Sequence, residues 1–156
     1  MKKWVIGLAA YAVLLAGCAT YKGVPEFEDR TRPQVTIRDG QIAVSPGILF
    51  YFQDERNVTV VWQLPKDGRY TFPRENGIVI EGEIIDDVIR AKEKGGRDSV
   101  ALDRSQTEIV ECRARSEVEF TCLNRHTRPG VYKYTIRVID RETRKTLERD
   151  PAFVNM

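Results

Sequence analysis

The sequence predicts a mostly β protein, and three observations carry that prediction. Beyond residue 17 the chain contains 14 Val and 11 Ile against only 5 Leu and 6 Ala, and β-branched residues favour strands. Apolar residues alternate with polar ones in several runs, most regularly at residues 132–138. Turn signals such as Asp39-Gly40 and Pro129-Gly130 separate these runs. We therefore expect many short strands.

The strands follow in chain order from the alternating runs. The run at 57–64, NVTVVWQL, is the strongest candidate for a central strand, and we expect its Trp62 to lie in the core. At Ile85, Val88 and Ile89 the spacing changes to i, i+3, i+4, which predicts one short helix before Gly95. The predicted strands are 35–37, 42–44, 48–52, 57–64, 70–72, 77–84, 108–113, 118–123, 132–138 and 145–148.

The N-terminus has the pattern of an export signal. Lys2 and Lys3 precede an uncharged apolar run at 4–14, which is shorter than the roughly 20 residues that a membrane-spanning helix needs. The next residues, Leu15-Ala16-Gly17-Cys18, resemble the lipobox of bacterial lipoprotein precursors. That resemblance implies that residues 1–17 are a signal peptide, removed just before Cys18, and that Cys18 is acylated.

The resemblance also implies a location. Because Ala19 rather than Asp follows the cysteine, a lipoprotein of a Gram-negative bacterium would be sorted to the outer membrane, facing the periplasm. Residues 18–33 carry charges and two prolines without periodicity, so we expect a lipid-anchored tether. Residues 34–156 form a single predicted domain, a size that can bury a core.

Charge excludes one class of partner. The chain has 25 basic and 23 acidic residues, and the excess of two is Lys2 and Lys3 of the predicted leader. The remaining chain has no net charge, so it lacks the basic excess typical of nucleic-acid binding.

The cysteine count agrees with lipidation. Three cysteines are an awkward number for an exported protein, but assigning Cys18 to lipid leaves Cys112 and Cys122, which can form a disulfide in an oxidising periplasm. Two free thiols are the alternative, and a metal site lacks ligands. A disulfide across the hairpin would centre its register on residue 117, with the turn at 115–119. A tighter turn at 114–116 would separate the two cysteines.

The stretch PGVYKYTIRVIDRETRK, residues 129–145, resembles the penultimate strand and turn of immunoglobulin-like and PKD-like bacterial domains. This resemblance implies an immunoglobulin-like antiparallel β-sandwich. It also implies that Tyr132 bonds the backbone at a corner of the sandwich. Trp62 precedes both cysteines instead of lying between them, so antibody topology is not expected.

Candidate chemistry is sparse. His126 is the single histidine, and no Gly-x-Ser-x-Gly motif accompanies it, so we predict a solvated loop residue and no catalytic site. Carboxylates cluster at 26–29, 54–55 and 86–87 without calcium-loop spacing, and we predict solvated surface, no metal and no cofactor. Basic and acidic residues interleave in the C-terminal hairpin, which predicts a charge-mixed surface.

These observations favour a non-catalytic lipoprotein, held on the membrane by its lipid, that binds an envelope protein or assists envelope assembly. Two rival hypotheses remain at this point. One is an envelope hydrolase or an inhibitor of such an enzyme. The other is a structural lipoprotein that associates with copies of itself.

Overall fold

A computed structural model of the protein describes residues 28–85 and 101–156, which contain twelve β-strands in two sheets. In chain order the strands are β1 (Gln34–Arg38), β2 (Gln41–Ser45), β3 (Ile48–Tyr51), β4 (Val58–Gln63), β5 (Tyr70–Thr71), β6 (Ile78–Ile84), β7 (Leu102–Asp103), β8 (Ile109–Ala114), β9 (Glu119–Asn124), β10 (Gly130–Asp140), β11 (Lys145–Arg149) and β12 (Ala152–Asn155). Sheet A has the order β2-β1-β4-β9-β8, and sheet B has the order β3-β12-β10-β6-β7. Strands β5 and β11 also pair with β10.

The predicted mostly β, sandwich-like fold is confirmed, but the sheets are mixed and not wholly antiparallel. Strand β1 runs parallel to β4, and β12 runs parallel to β3. Long connections between strands that are distant in sequence create both parallel pairs, and local alternation carries no information about such pairing. Most of the predicted helix lies in 86–100, outside the described residues, and the part of the chain that is described contains no helix.

Aromatic side chains join the two sheets at the centre of the core. Trp62 on β4 packs against Tyr134 on β10 and Phe153 on β12, with ring centroids 5.5 and 5.7 Å away. The rings of Tyr134 and Phe153 are 4.9 Å apart, and all three side chains are fully buried. Trp62 is therefore a core residue, as its position in a β-branched strand predicts.

A buried amide pair also connects the sheets. Asn124 on β9 donates to Oδ1 of Asn155 on β12 at 2.9 Å, and Asn155 donates back to Oδ1 of Asn124 at 3.1 Å. Both residues are buried. Each amide thus satisfies the other in a place that water does not reach, which is the condition for keeping a polar group inside a protein.

Two strands escape sequence-based prediction. Strand β12 has four residues and β7 has two, so neither shows a recognisable period. Strand β12 is nevertheless structurally central, because it lies between β3 and β10 and buries Phe153. In the sequence, Asp150 and Pro151 indicate the end of a strand. They give no sign that another strand, β12, begins at the next residue.

The hairpin β8–β9 joins Cys112 to Cys122 by a disulfide bond. Arg113 pairs with Thr121 and Ala114 with Phe120, which is the register centred on residue 117. The wider of the two turns considered above is the one observed. The ladder is interrupted between Val110 and Arg113 by a bulge, where Glu111 has a φ of 54°.

Replacing both Cys112 and Cys122 by Ser is expected to lower the free energy of unfolding by about 2 to 3 kcal/mol. The bond closes a loop of sequence separation 10 and so restricts the unfolded chain. Urea unfolding in non-reducing buffer measures the difference, with the Cys18→Ser chain as the parent. Adding a reductant to the parent should reproduce the loss, and equal midpoints with and without reductant would contradict the expectation.

The carboxylate of Asp140, at the end of β10, stabilises the turn that follows this strand. It accepts hydrogen bonds from Nη2 of Arg69 at 3.0 Å and from the main-chain N–H of Glu142 at 3.0 Å. The bond from Arg69 outweighs burial, and the pKa of Asp140 falls to about 2 from its ordinary 3.8. Asp140 therefore stays ionised well into the acid range.

Because the pKa of Asp140 is lower in the folded chain than in the unfolded chain, its stabilising effect is complete above about pH 4 and is lost as the pH falls towards 2. We expect Asp140→Asn to flatten this part of the stability profile. Melting temperatures between pH 6 and pH 2 measure it, with Glu142→Gln as the control, because Glu142 pairs with the same arginine but is exposed. An unchanged acid limb in Asp140→Asn would contradict the assignment.

Candidate functional site

His126 does not lie in solvent, so the prediction of a solvated loop residue is wrong. The imidazole is 3 % exposed, with Nδ1 3.0 Å from the main-chain oxygen of Glu55 and Nε2 3.1 Å from that of Met156. A neutral imidazole donates through only one of its nitrogens, and a protonated one donates through both. The ring ties the loop after β3 to the residue after β12, a contact that sequence alone does not reveal.

Next to His126, the carboxylate of Glu108 is buried and bound. It accepts hydrogen bonds from the main-chain N–H and the hydroxyl of Thr127, both at 2.6 Å. Burial raises the pKa of Glu108, but the bonds from Thr127 and the charge of Arg128 outweigh burial and bring the pKa below its ordinary value. Glu108 is therefore ionised near neutral pH, and it lacks the proton that a general acid would need.

Tyr132 points into the same end of the sandwich. Burial, followed by the charge of Glu83, raises the pKa of Tyr132 to about 12, and its hydroxyl finds no hydrogen-bond partner among the described residues. The backbone bond that the resemblance implied for Tyr132 is therefore not made. Tyr51 instead donates to the main-chain oxygen of Arg30 at 2.8 Å, which sequence reasoning missed.

The loops around His126 line a surface cavity of about 270 Å³. Arg128, on its rim, binds both carboxylate oxygens of Glu83. The hydroxyl of Thr127 is already used as a donor to Glu108. The contacts of Thr127 with Glu108 and of Arg128 with Glu83 fix the loops. The cavity is lined by Gln53, Arg56, His126, Thr127, Arg128, Pro129 and Met156.

A larger groove of about 560 Å³ runs between β2 and β11, at the rim shared by the two sheets. Each of these strands pairs with one neighbour only, β1 and β10 respectively, so each has an open edge. The two carboxylates in the groove have partners: Glu148 pairs with Arg137, and Asp150 with Lys133. The groove is lined by Gly40, Gln41, Ile42, Thr146, Leu147, Glu148, Arg149 and Asp150.

The register shows which main-chain groups point out of β2. Asp39 and Gly40 have φ angles of 51° and 73°, as in the two-residue turns that suit a hairpin. The flanking pair, Arg38 and Gln41, then exchanges hydrogen bonds, and bonded pairs alternate along the ladder. Ile42 and Val44 therefore direct their N–H and C=O groups away from β1. Ile42 is buried and lines the groove, whereas Val44 is half-buried and lies outside its lining.

The open edge of β3, which lies on the same side of β10 as β11 but nearer the start of β10, is blocked by side chains. Arg30 donates to the main-chain oxygen of Phe50 at 2.7 Å, and Glu55 accepts from the N–H of Phe52 at 2.7 Å. Arg30 and Glu55 also pair with each other at 2.8 Å. These contacts occupy backbone groups that another strand would need.

The outer face of sheet B beside this edge is apolar and exposed. Pairing places Phe50, Val154 and Val131 side by side on three adjacent strands. We call five side chains of this surface the apolar strip; they are 37 to 51 % exposed and are Ile48, Phe50, Phe52, Val131 and Met156. The sequence contains a signal for this apolar face. Residues 48–52 are ILFYF, and five consecutive apolar residues in a strand make both of its faces apolar.

Of the remaining predicted sites, which include the lipidation site and the carboxylate clusters, some lie among the described residues and the others lie outside them. Cys18, residues 26–27 and the pair 86–87 lie outside them. Glu55 is not merely solvated, because it binds Arg30, while Asp54 and Asp29 are exposed. Across 28–85 and 101–156, no three His, Cys, Asp or Glu residues cluster as metal ligands would. The C-terminal hairpin has the predicted mixed charge, with Arg137 paired to Glu148.

No protein-family model matches the chain, and no curated protein is similar to it. Among the described residues, no helix has the length and apolar character needed to cross a membrane.

Proposed function

We propose that this protein is a non-catalytic lipoprotein of the outer membrane, facing the periplasm, that binds an extended segment of an envelope protein. The observation that carries the proposal is the groove between the open edges of β2 and β11. An extended peptide can add to an exposed sheet edge, where main-chain hydrogen bonds supply affinity and side-chain pockets supply specificity.

The groove suits a polypeptide better than a polyanion. Its wall on β2 is formed by Gly40, Gln41 and Ile42, and the main-chain groups of Ile42 point away from β1. Its wall on β11 carries both signs of charge, in Glu148 and Arg149. A nucleic acid would need a basic surface instead.

The loop end of the sandwich supports the non-catalytic part of the proposal. Glu108 is held ionised by Thr127, and both nitrogens of His126 face main-chain oxygens. Neither group is free to activate a nucleophile, because activation needs a base that is within reach of a substrate. The arrangement is better suited to fixing loops than to hydrolysis.

Site-specific photo-crosslinking in intact cells tests the proposal. A photoreactive amino acid is placed at Gln41 or Thr146, one on each wall of the groove. A matched control carries it at Thr59, which is exposed on the outer face of sheet A. We expect one envelope protein to be captured from both groove positions and not from Thr59, and mass spectrometry identifies it.

The anchor is tested in the same cells by replacing residues 1–18 with a cleavable secretory signal. We expect the anchored protein to capture the partner and the released form to capture less of it. Identical adducts from the groove and from Thr59 would contradict the binding role. Adducts of the protein with itself alone would favour the self-associating alternative.

A further inference from the structure

The tether reaches the domain beside the apolar strip. The predicted lipid site, Cys18, is ten residues from Glu28, so this segment spans at most about 35 Å. The side chain of Glu28 bonds the hydroxyl of Ser45, three residues before Ile48. Two residues further on, the guanidinium of Arg30 lies 5.4 Å from the ring of Phe52. With lipid on Cys18, this end of the domain lies within about 35 Å of the bilayer.

The strip has the composition of a surface that enters a membrane interface. Its large apolar side chains, including Phe50, Phe52 and Met156, sit on a rigid sheet face. Basic side chains border it: Arg56 lines the same cavity as Met156, and Lys133, which pairs with Asp150, follows Val131 on the same face of β10. Apolar side chains beside basic ones suit the boundary between acyl chains and anionic headgroups.

The blocked edge of β3 argues against a strand as the occupant. Arg30 and Glu55 occupy main-chain groups of Phe50 and Phe52, so an added strand would have to displace an ion pair. The side chains of the apolar strip, on the outer face of sheet B, are exposed, although the main-chain groups at the edge of β3 are occupied. A lipid surface needs no main-chain hydrogen bonds from the protein, and it matches an open face with a closed edge.

We infer that the apolar strip rests on the bilayer leaflet that carries the Cys18 lipid, an inference that depends on the anchor in the proposed function. The domain then lies with the outer face of sheet B at β3 against the phospholipids. None of the five residues of the apolar strip lines the groove between β2 and β11.

Fluorescence quenching in vesicles tests this inference on the full lipidated protein. Phe50→Trp and Phe52→Trp each place an indole in the strip, and Thr59→Trp places one on the outer face of sheet A as the matched control. Vesicles contain phosphatidylethanolamine and phosphatidylglycerol, with or without brominated acyl chains. Trp62 is fully buried and gives the same background in every variant.

We expect brominated lipid to reduce the added emission about twofold at positions 50 and 52 and to leave position 59 nearly unchanged. Equal quenching at all three positions, or none at any, would overturn the inference. A blue shift at position 50 that is independent of bromine but grows with protein density would also overturn it, since copies of the chain would then cover the strip.

Vesicle flotation separates the two proposals. Protein that floats with the vesicles but shows no quenching in the strip keeps its anchor, so the inference fails and the proposed function stands. Protein that does not float lacks the anchor, and both the membrane location and the inference then fail. In cells, photo-crosslinking from Phe50 to a protein partner would count against the lipid as the occupant.

Discussion

Replacing Trp62 by Ala is expected to lower the free energy of unfolding by about 3 to 5 kcal/mol, the range for a large aromatic residue removed from a core. The indole contacts both Tyr134 and Phe153, and so it fills the space between the sheets. Domains of this size have total stabilities of about 5 to 15 kcal/mol, so the variant should be close to unfolding. Urea unfolding of the Cys18→Ser parent and of the variant measures the loss.

Thr59→Ala is the matched control, because Thr59 lies on the same strand with its side chain exposed. We expect a change within about 0.5 kcal/mol there. A loss in Trp62→Ala no larger than that in the control would show that the indole is not the central contact between the sheets.

Asn124→Asp should also be severe, with a loss of about 3 to 5 kcal/mol at neutral pH, the range for an uncompensated buried charge. One carboxylate oxygen would face Oδ1 of Asn155 in a buried site. Burial raises the pKa of such a carboxyl, so its ionised form disfavours folding. The loss should therefore shrink as the pH falls and the new Asp takes up a proton. Urea unfolding at pH 7 and pH 4.5 checks both the size and the sign.

The double variant Asn124→Leu/Asn155→Leu separates charge from shape. Replacing both partners of a buried hydrogen bond by apolar groups of similar size is nearly neutral, whereas removing one partner leaves the other unsatisfied. We expect the double variant to be more stable than either single Leu variant. Additive losses would show that the two amides do not act as a pair.

The strands that could be predicted are those whose alternation is local. Strand β10 runs for 11 residues and buries Tyr132, Tyr134, Ile136 and Val138, the face that the sequence indicates. The parallel pairing of β3 with β12 could not be predicted, because it depends on contacts between residues far apart in the chain.

The environment of His126 was beyond sequence reasoning for a related reason. A histidine in a polar loop reads as solvated, and it is buried only because the loop after β3 and the residue after β12 close over it. The exposure of Phe50 is the opposite case: an apolar strand residue reads as buried, and it is exposed because it lies on the outer face of sheet B, which the described residues leave uncovered at β3. In both cases tertiary closure, and not local composition, decides exposure.

The position of β12 between β3 and β10 sets the order of events during synthesis. Ile48 pairs with Ala152, so β3 leaves the ribosome roughly a hundred residues before its neighbour and waits about 5 to 20 seconds for it at ordinary elongation rates. Until then Phe153 is missing from the core, and sheet B lacks a strand between β3 and β10. Sheet B therefore cannot close until residues 152–155 have been made, whereas sheet A contains no strand beyond β9 and does not depend on them.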